Sequence, residues 1–354
     1  MQAQHIFVFL TLCAIPAFAQ SLLAVLQENG FTEYAERLQG DPILSAGPGL
    51  IVYTPTNAAL VGNGNVTVTR RQDAGSDNSA ENSYGCVNAT APRWVDPAEF
   101  EGDSGAGNAT LRKKQVGPSG SVYGTLLDDP EWVNLGPGRN QTIVEKRVPT
   151  ASLPLVFTGL GASVGVAASD IPFEGGIIRP INGVLTLPRN LSYTLPFLSA
   201  ERFGAALQNA GLFPDLDNRA IITVFAPNDA AFGDANNLPD AQLAQLLREH
   251  VVVGFPAYTP LLVGGRTYRT LGGSDVTVSI RDGVAYINGA RILAGDAIIK
   301  NGVVHTIDRL LTTQSPTTPP SSIPTAAATT AKSLSWLAFV FTFVGIAVAA
   351  LPSV

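Results

Sequence analysis

Two short apolar runs, Leu50 to Tyr53 and Ile221 to Phe225, each lead within two residues into a proline, Pro55 and Pro227. Neither alternates cleanly with polar residues, so both predict strands buried on two faces. Proline has no N–H for a ladder and ends such a strand. Asn57 and Asn228-Asp229 follow, each before a pair of alanines, and predict a capped short helix. A second kind of run opens on glycine. Gly176 to Leu185 and Gly302 to Leu311 predict a turn and then a strand, and Asn301-Gly302 is a strong turn dipeptide.

Val276, Val278 and Ile280 alternate as a half-buried strand, and Asp282-Gly283 turns the chain into Val284 to Ile287. Helical spacing joins Phe203, Leu207 and Ala210, with Ser199 as the expected cap and Gly211 as the stop. It also joins Leu243, Leu246 and Leu247 behind Pro239-Asp240, and Leu22, Leu23 and Leu26 ahead of Asn29-Gly30. The expected class is therefore α+β.

The runs are copies of one another. Val52 to Leu60 recurs as Val224 to Phe232, and Gly176 to Leu185 recurs as Gly302 to Leu311. Asp170 and Asp296 hold the same place ahead of the two glycines. Two copies of one domain are expected, with a junction near Leu187 to Ser192. The first is longer, mostly between Val61 and Gly120, where Gly, Asn, Ser and Asp predominate. That stretch is expected to be a surface loop, partly disordered.

Both ends read as targeting segments. Ile6 to Ile15 has signal-peptide length, and Ala17-Phe18-Ala19 is a small-x-small cleavage site before Gln20. Leu334 to Leu351 is almost wholly apolar, and no charged residue follows it. Small residues upstream and a spacer ending at Lys332-Ser333 match a GPI-attachment signal, with Ser321, Ser322 and Ala326 as candidate attachment residues. Thr312 to Thr330 is mostly Ser, Thr and Pro, which suits a disordered, O-glycosylated stalk. Asn65, Asn88, Asn108, Asn140 and Asn190 open Asn-x-Ser/Thr sequons, as a secreted route would use. The expected layout is a signal peptide (1–19), a first domain (20–188) with an insertion at about 61–120, and a second domain (189–311). A stalk with attachment region (312–333) and a hydrophobic tail (334–354) follow.

Composition narrows the chemistry. Apolar residues make up 45% and support a core, while charged residues make up only 14%. A net charge of −6 without a basic stretch argues against a nucleic-acid partner. Three histidines and two cysteines, one of each near the N-terminus, leave no framework for disulfides or zinc. Cys86 is the one cysteine beyond the signal peptide, and a buried or modified thiol is expected. His305, set between Val304 and Ile307, reads as a hydrogen-bonded structural histidine, with Asp308 satisfying nearby backbone donors. His250 reads as a helix-terminal or core residue.

Gly161-Ala162-Ser163-Val164-Gly165 has the Gly-x-Ser-x-Gly pattern of a hydrolase nucleophile. That motif needs a strand–turn–helix in a parallel sheet, and the repeat places it in a hairpin before Gly176. Arg70-Arg71, Lys113-Lys114 and Lys146-Arg147 read as solvated charge. Tyr53 and Phe225 read as core, and no exposed apolar stripe stands out. No catalytic residue, cofactor or metal is expected.

The paired segments resemble the fasciclin-like (FAS1) family. The resemblance rests on Thr223 to Phe232, Leu246 to Val253 with His250, and Asn301 to Leu311. It extends more loosely over Ser21 to Leu187, where Arg179, Pro180 and Asn182 depart from the pattern and the middle motif is faint around Ile143 to Val148. It implies tandem domains, each a β-sandwich or wedge decorated with helices. Thr54, Pro55, Asn57, Pro227, Asn228, Asp229, His250, Asn301, Gly302, His305 and Asp308 would be its structural or adhesive positions. It also implies extracellular adhesion, to matrix or wall polymer, another cell surface, or a second copy of the chain. The expected place is the outer face of the plasma membrane, held by a GPI lipid, or the wall or matrix. The loops around Pro55 and Pro227 are the expected adhesive surface. Alternatives are a carbohydrate or small-ligand module and, remotely, a serine hydrolase using Ser163.

Overall fold

The computed structural model describes residues 20–61, 78–88, 120–149 and 151–311. Outside them lie the expected signal peptide, stalk and tail, the attachment candidates Ser321, Ser322 and Ala326, and most of the insertion with Asn65 and Asn108. The described residues all fall within one unit, Met1–Pro316. Among them no helix is long and apolar enough to cross a membrane.

Residues 20–188, the first of the two expected copies, contribute β1 (Leu50–Pro55), β2 (Cys86–Asn88), β3 (Gly120–Gly124), β4 (Thr142–Lys146), β5 (Leu155–Phe157), β6 (Ser163–Gly165), β7 (Ile171–Phe173) and β8 (Gly176–Ile181). The second contributes β9 (Ile222–Pro227), β10 (Val251–Val253), β11 (Thr267–Arg269), β12 (Asp275–Arg281), β13 (Val284–Ile287), β14 (Ala290–Ile299) and β15 (Gly302–Ile307). With the helices between them, this is a mixed α and β fold.

The two proline-ended strands are buried along their whole length, as runs without clean alternation require. Each pairs in parallel with the glycine-led strand of its own copy. Leu50 to Pro55 face Gly176 to Ile181, and Ile222 to Pro227 face Gly302 to Ile307, in the same register. The approach at the first rung is close. A Cβ on Gly176 would overlap the Leu50 carbonyl, and one on Gly302 (φ 153°) would overlap the Ile222 carbonyl. Glycine is required there by the neighbouring backbone.

In the second copy seven strands form one sheet, ordered β10-β9-β15-β14-β13-β12-β11. Ile222, Val224 and Ala226 pack on one side against Phe203 and Leu207 of helix Glu201–Asn209 and Leu243 and Leu247 of helix Asp240–Glu249. Phe225, in another cluster, packs with Val278, Ile280 and Ile287 from β12 and β13. In the first copy the strands divide into two four-stranded sheets, β2-β1-β8-β7 and β3-β4-β5-β6. Bridges at Val87–Thr125 and Val166–Ile181 join them.

Several local expectations need correction. Ser199 does not cap the helix after it. It closes the preceding turn Leu195–Leu198 in the left-handed region, and the N-cap Ala200 makes no side-chain bond. The Arg202 N–H goes instead to Asp229 Oδ1 at 2.8 Å, a negative group well suited to a helix N-terminus. Asn57 is the first residue of its helix, not the cap. Thr56 Oγ1 accepts from the Ala59 N–H at 3.2 Å, as Asn228 Oδ1 accepts from Ala231 at 2.8 Å. Leu246 is only half-buried beside Leu243 and Leu247.

The expected surface loop is also interrupted. Helix Asn78–Gly85 leads into β2, which pairs with β1 as β10 pairs with β9. Ala80, Tyr84, Cys86 and Val87 are buried. The first copy's counterpart of helix Asp240–Glu249 and β10 therefore lies here, not around Ile143 to Val148. Cys86 is a free, buried thiol, and burial, with the Asp41 charge nearby, pushes its pKa up to about 12.

Candidate functional site

The signature segments turn their polar side chains inward. Thr54 is buried with its hydroxyl on the Val52 carbonyl at 3.3 Å, and Pro55 and Pro227 are buried as last rungs. Asn57 Oδ1 accepts from the Glu33 N–H at 3.3 Å, and its Nδ2 donates to Thr32 Oγ1 at 3.0 Å. Its counterpart Asp229 serves Arg202 in the same way. In both copies the second residue after the proline satisfies a donor in the first turn of a helix distant in sequence. The loops at Pro55 and Pro227, the expected adhesive surface, thus have their side chains committed to capping.

The glycine-led strands repeat this economy at their far ends. Asn182 Oδ1 accepts from the Gly165 N–H and Asp308 Oδ1 from the Arg291 N–H, each at 2.8 Å. Burial would raise the Asp308 carboxyl, but its bonds to Arg309 and the Arg291 backbone hold it below the usual range. Asn301 is buried, and its Nδ2 donates to the Leu216 and Arg219 carbonyls, both at 2.7 Å. It therefore pins the turn before Gly302 to the segment that leads into β9.

Both described histidines use both ring nitrogens on backbone groups. A carbonyl can only accept, so His250 Nδ1–H donates to Leu246 at 2.8 Å and Nε2 accepts from the Leu311 N–H at 2.9 Å. By the same logic His305 Nε2–H donates to Ala257 at 2.9 Å and Nδ1 accepts from the Asp296 N–H at 3.1 Å. The His305 ring stacks on Phe225, centroids 5.6 Å apart. Burial lowers the His250 pKa to about 4, and lowers His305 against the pull of the Asp296 carboxylate. Both rings are neutral at pH 7 and neither is free to act as a base. Ser163 lies on β6, the edge of an antiparallel sheet, so the hydrolase pattern lacks the strand–turn–helix it needs.

The cluster that sequence reasoning missed is centred on β4. Thr142, Val144 and Lys146 face one way, and Ile143 and Glu145 the other, as strand alternation dictates. On the first side Thr142 Oγ1 donates to Tyr258 Oη at 2.5 Å, and Val144 packs with Tyr258, Ile298 and Val303. Lys146 Nζ lies 2.5 Å from Asp296 Oδ2, 3.0 Å from Thr259 Oγ1 and 4.2 Å from the centre of the Phe157 ring. Asp296 also accepts from the Thr259 N–H at 2.7 Å and from the Thr259 hydroxyl. Burial would raise the Asp296 carboxyl, but Lys146, His305 and these hydrogen bonds hold it below the usual range. Lys146 is therefore not solvated, as its dibasic pair suggested, but buried against a charge from the other copy.

On the second side Ile143 joins the core with Ile51, Tyr53 and Val156. Glu145 Oε2 accepts from Tyr53 Oη at 2.6 Å and from Arg179 Nη1 at 2.8 Å. Arg179 also grips Asp170 with two bonds, at 2.8 and 2.6 Å. Asp170 and Asp296 thus play matching parts, each fixing the fourth residue of its glycine-led strand. Asp170 holds Arg179 directly, and Asp296 holds His305 through its backbone N–H. The equivalence of the two aspartates was visible in the repeat. Lys146 was not, because its partner lies 150 residues away.

Among the described residues the surface departs from expectation at one aromatic patch. Tyr193 is 53% and Phe197 48% exposed, with ring centroids 5.8 Å apart. The Arg189 guanidinium lies 5.7 Å from the Tyr193 ring and 4.4 Å from that of Trp132. An exposed aromatic row therefore exists where none was read. The sequon residue Asn190 sits beside it, exposed. Asn140 is half-buried, with its Nδ2 on the Thr125 carbonyl at 2.9 Å, and Asn88 ends β2. Elsewhere an open depression of about 420 Å³ is lined by Leu238, Ala241, Leu246 and Leu311. Its one carboxylate, Glu249, is held by Gln245 and Thr270.

Comparison with known proteins finds similarity over part of the chain. Residues 199–313 match the family model of the fasciclin domain. A fasciclin-like arabinogalactan protein of Phaeosphaeria nodorum is 30% identical over 197 residues, 54% of this chain and 61% of the relative. One of Arthroderma benhamiae is 29% identical over 200 residues, 55% of this chain and 46% of the relative. The transforming growth factor-beta-induced protein ig-h3 of Sus scrofa is 32% identical over 162 residues, 41% of this chain and 22% of the relative. The chain thus spans less than two thirds of the length of these relatives. Among solved structures, a FAS1 domain pair from the insect cell adhesion molecule Fasciclin I is 15% identical, with a TM-score of 0.35 over 80% of this chain and 98% of that one. The fasciclin match takes in Pro227, Asn228, Asp229, His250, Asn301, Gly302, His305 and Asp308. Thr54, Pro55 and Asn57 lie outside it.

Proposed function

We propose that this is a secreted cell-surface adhesion protein, held by a GPI lipid, that binds through its outer surface to itself or to matrix or wall polymer. The observation that carries the reading is the fasciclin match over residues 199–313, whose signature side chains are spent on internal hydrogen bonds. A domain with its polar groups so committed, and both histidines neutral and engaged, works by presenting a stable surface. The signal-like and GPI-like ends and the stalk composition support the placement. Weak single contacts would suffice, because many anchored copies multiply affinity by about 10²–10⁴.

Beads coated with the secreted, glycosylated protein test this. They should aggregate with one another or be retained on wall or matrix polymer, and soluble protein should compete. Beads that stay dispersed and unretained at every coating density would sink the reading. Saturable glycan binding without aggregation would shift it to a carbohydrate module.

A further inference from the structure

Asn190 is the N-cap of helix Leu191–Thr194, yet its side chain makes no capping bond. An asparagine there ordinarily accepts from the second or third N–H of the helix. Here the second, that of Ser192, is taken by Asp217 Oδ1 at 3.1 Å, and the Ser192 hydroxyl by Asp217 Oδ2 at 2.6 Å. The Asn190 side chain, without a capping bond, stands exposed in a sequon. Tyr193 lies three residues on, the spacing that shares a helix face, and Phe197 is against Tyr193. Their exposure contrasts with Tyr53, Tyr258, Phe203 and Phe225, which are fully buried.

We propose that Asn190 carries an N-linked glycan whose first sugars lie over the exposed rings of Tyr193 and Phe197. This rests on the secretory reading above. The Asn190 Nδ2 would bond to the anomeric carbon of a lipid-linked oligosaccharide and give up one of its two protons, and the lipid diphosphate would leave. The C–H face of a pyranose is apolar and slightly positive, which complements the negative face of an aromatic ring. The Arg189 guanidinium beside Tyr193 offers donors to the sugar hydroxyls. The covered row would then be part of the glycoprotein's own surface, not a free docking site. Asn140 lacks this setting, because its amide is half-buried and bonded.

The test uses the full chain secreted from a eukaryotic host, as wild type and as Asn190→Gln. Among the described residues no hydrogen bond depends on the Asn190 side chain, so the variant should fold, and the buried Tyr258 serves as an internal reference. Glycopeptide mass spectrometry should find Asn190 occupied. Hydroxyl-radical footprinting should oxidise Tyr193 and Phe197 several-fold faster in the variant, with Tyr258 unchanged. Occupancy at other sequons but not at Asn190, or equal oxidation rates in the two proteins, overturns the proposal. So does protection that persists in the variant and rises with protein concentration, which assigns the rings to a second copy. No occupied sequon in chain recovered from the medium overturns this inference alone, whereas chain that never reaches the medium overturns the secretory reading as well.

Discussion

Asp296 is a buried carboxylate in the left-handed region at φ 69°, and its charge is balanced by one ammonium from the other copy. Removing one partner of such a pair leaves the other charge buried and alone, at about 3–5 kcal/mol. Lys146→Ala should lower stability by that amount in urea unfolding. Lys146→Met combined with Asp296→Asn should recover most of it, since asparagine tolerates the backbone and keeps an acceptor for the Thr259 N–H. A single and a double variant of equal stability would deny the pair this role. The histidines set the response to acid. His250 titrates near 4 in the folded protein against about 6.5 when unfolded, so the unfolded chain binds more protons between those values. Stability should be full above pH 6.5 and fall by about 3 kcal/mol as pH drops towards 4. His305 acts in the same direction, and Asp296 adds a further loss below the usual carboxylate range. A urea midpoint that stays flat from pH 7 to pH 4 would contradict this.

Each proline-ended strand and its glycine-led partner form one element, and their fit explains what the chain pattern revealed. The strands at Leu50 and Ile222 were legible because two buried faces demand runs without alternation. Their parallel pairing was not, because a run says nothing of its neighbour's direction. Helix Asn78–Gly85 was hidden for another reason. Its sequence NSAENSYG has too few apolar residues to show a period, and packing of Ala80 and Tyr84 settles its conformation. Of the candidate site, the capping residues after each proline could be read, though Thr56 took the cap assigned to Asn57. Ser199 failed as a cap because its left-handed backbone ends the preceding turn, and Asp229 serves the helix from outside. The glycines yield a direct prediction. Gly302→Ala should destabilise by well over about 1 kcal/mol, since strain and overlap with the Ile222 carbonyl add. Gly254→Ala, with a positive φ but nothing within 4 Å, should cost only about 1 kcal/mol. Thermal unfolding of the two variants separates the effects, and similar losses would refute the close-approach argument.

Across the whole molecule, β4 is shared property. One side completes the core of its own copy, and the other meets Tyr258, Asp296, Ile298 and Val303 of the second copy. Residues 189–311 expressed alone should therefore unfold at a lower urea concentration than within the full chain. Asp296 would then meet water in place of Lys146, so Asp296→Asn should change the fragment by less than about 1 kcal/mol while costing more in the full chain. An equal effect in both settings would argue against the contact. The alternation on β4 also guards against misthreading. Sliding the strand by one residue would set Glu145 against Asp296 in one direction, or Lys146 against Arg179 in the other, in each case a repulsive encounter where an attractive one stood. Adjacent residues of opposite sign thus work like a key cut differently on its two edges, which turns in only one position.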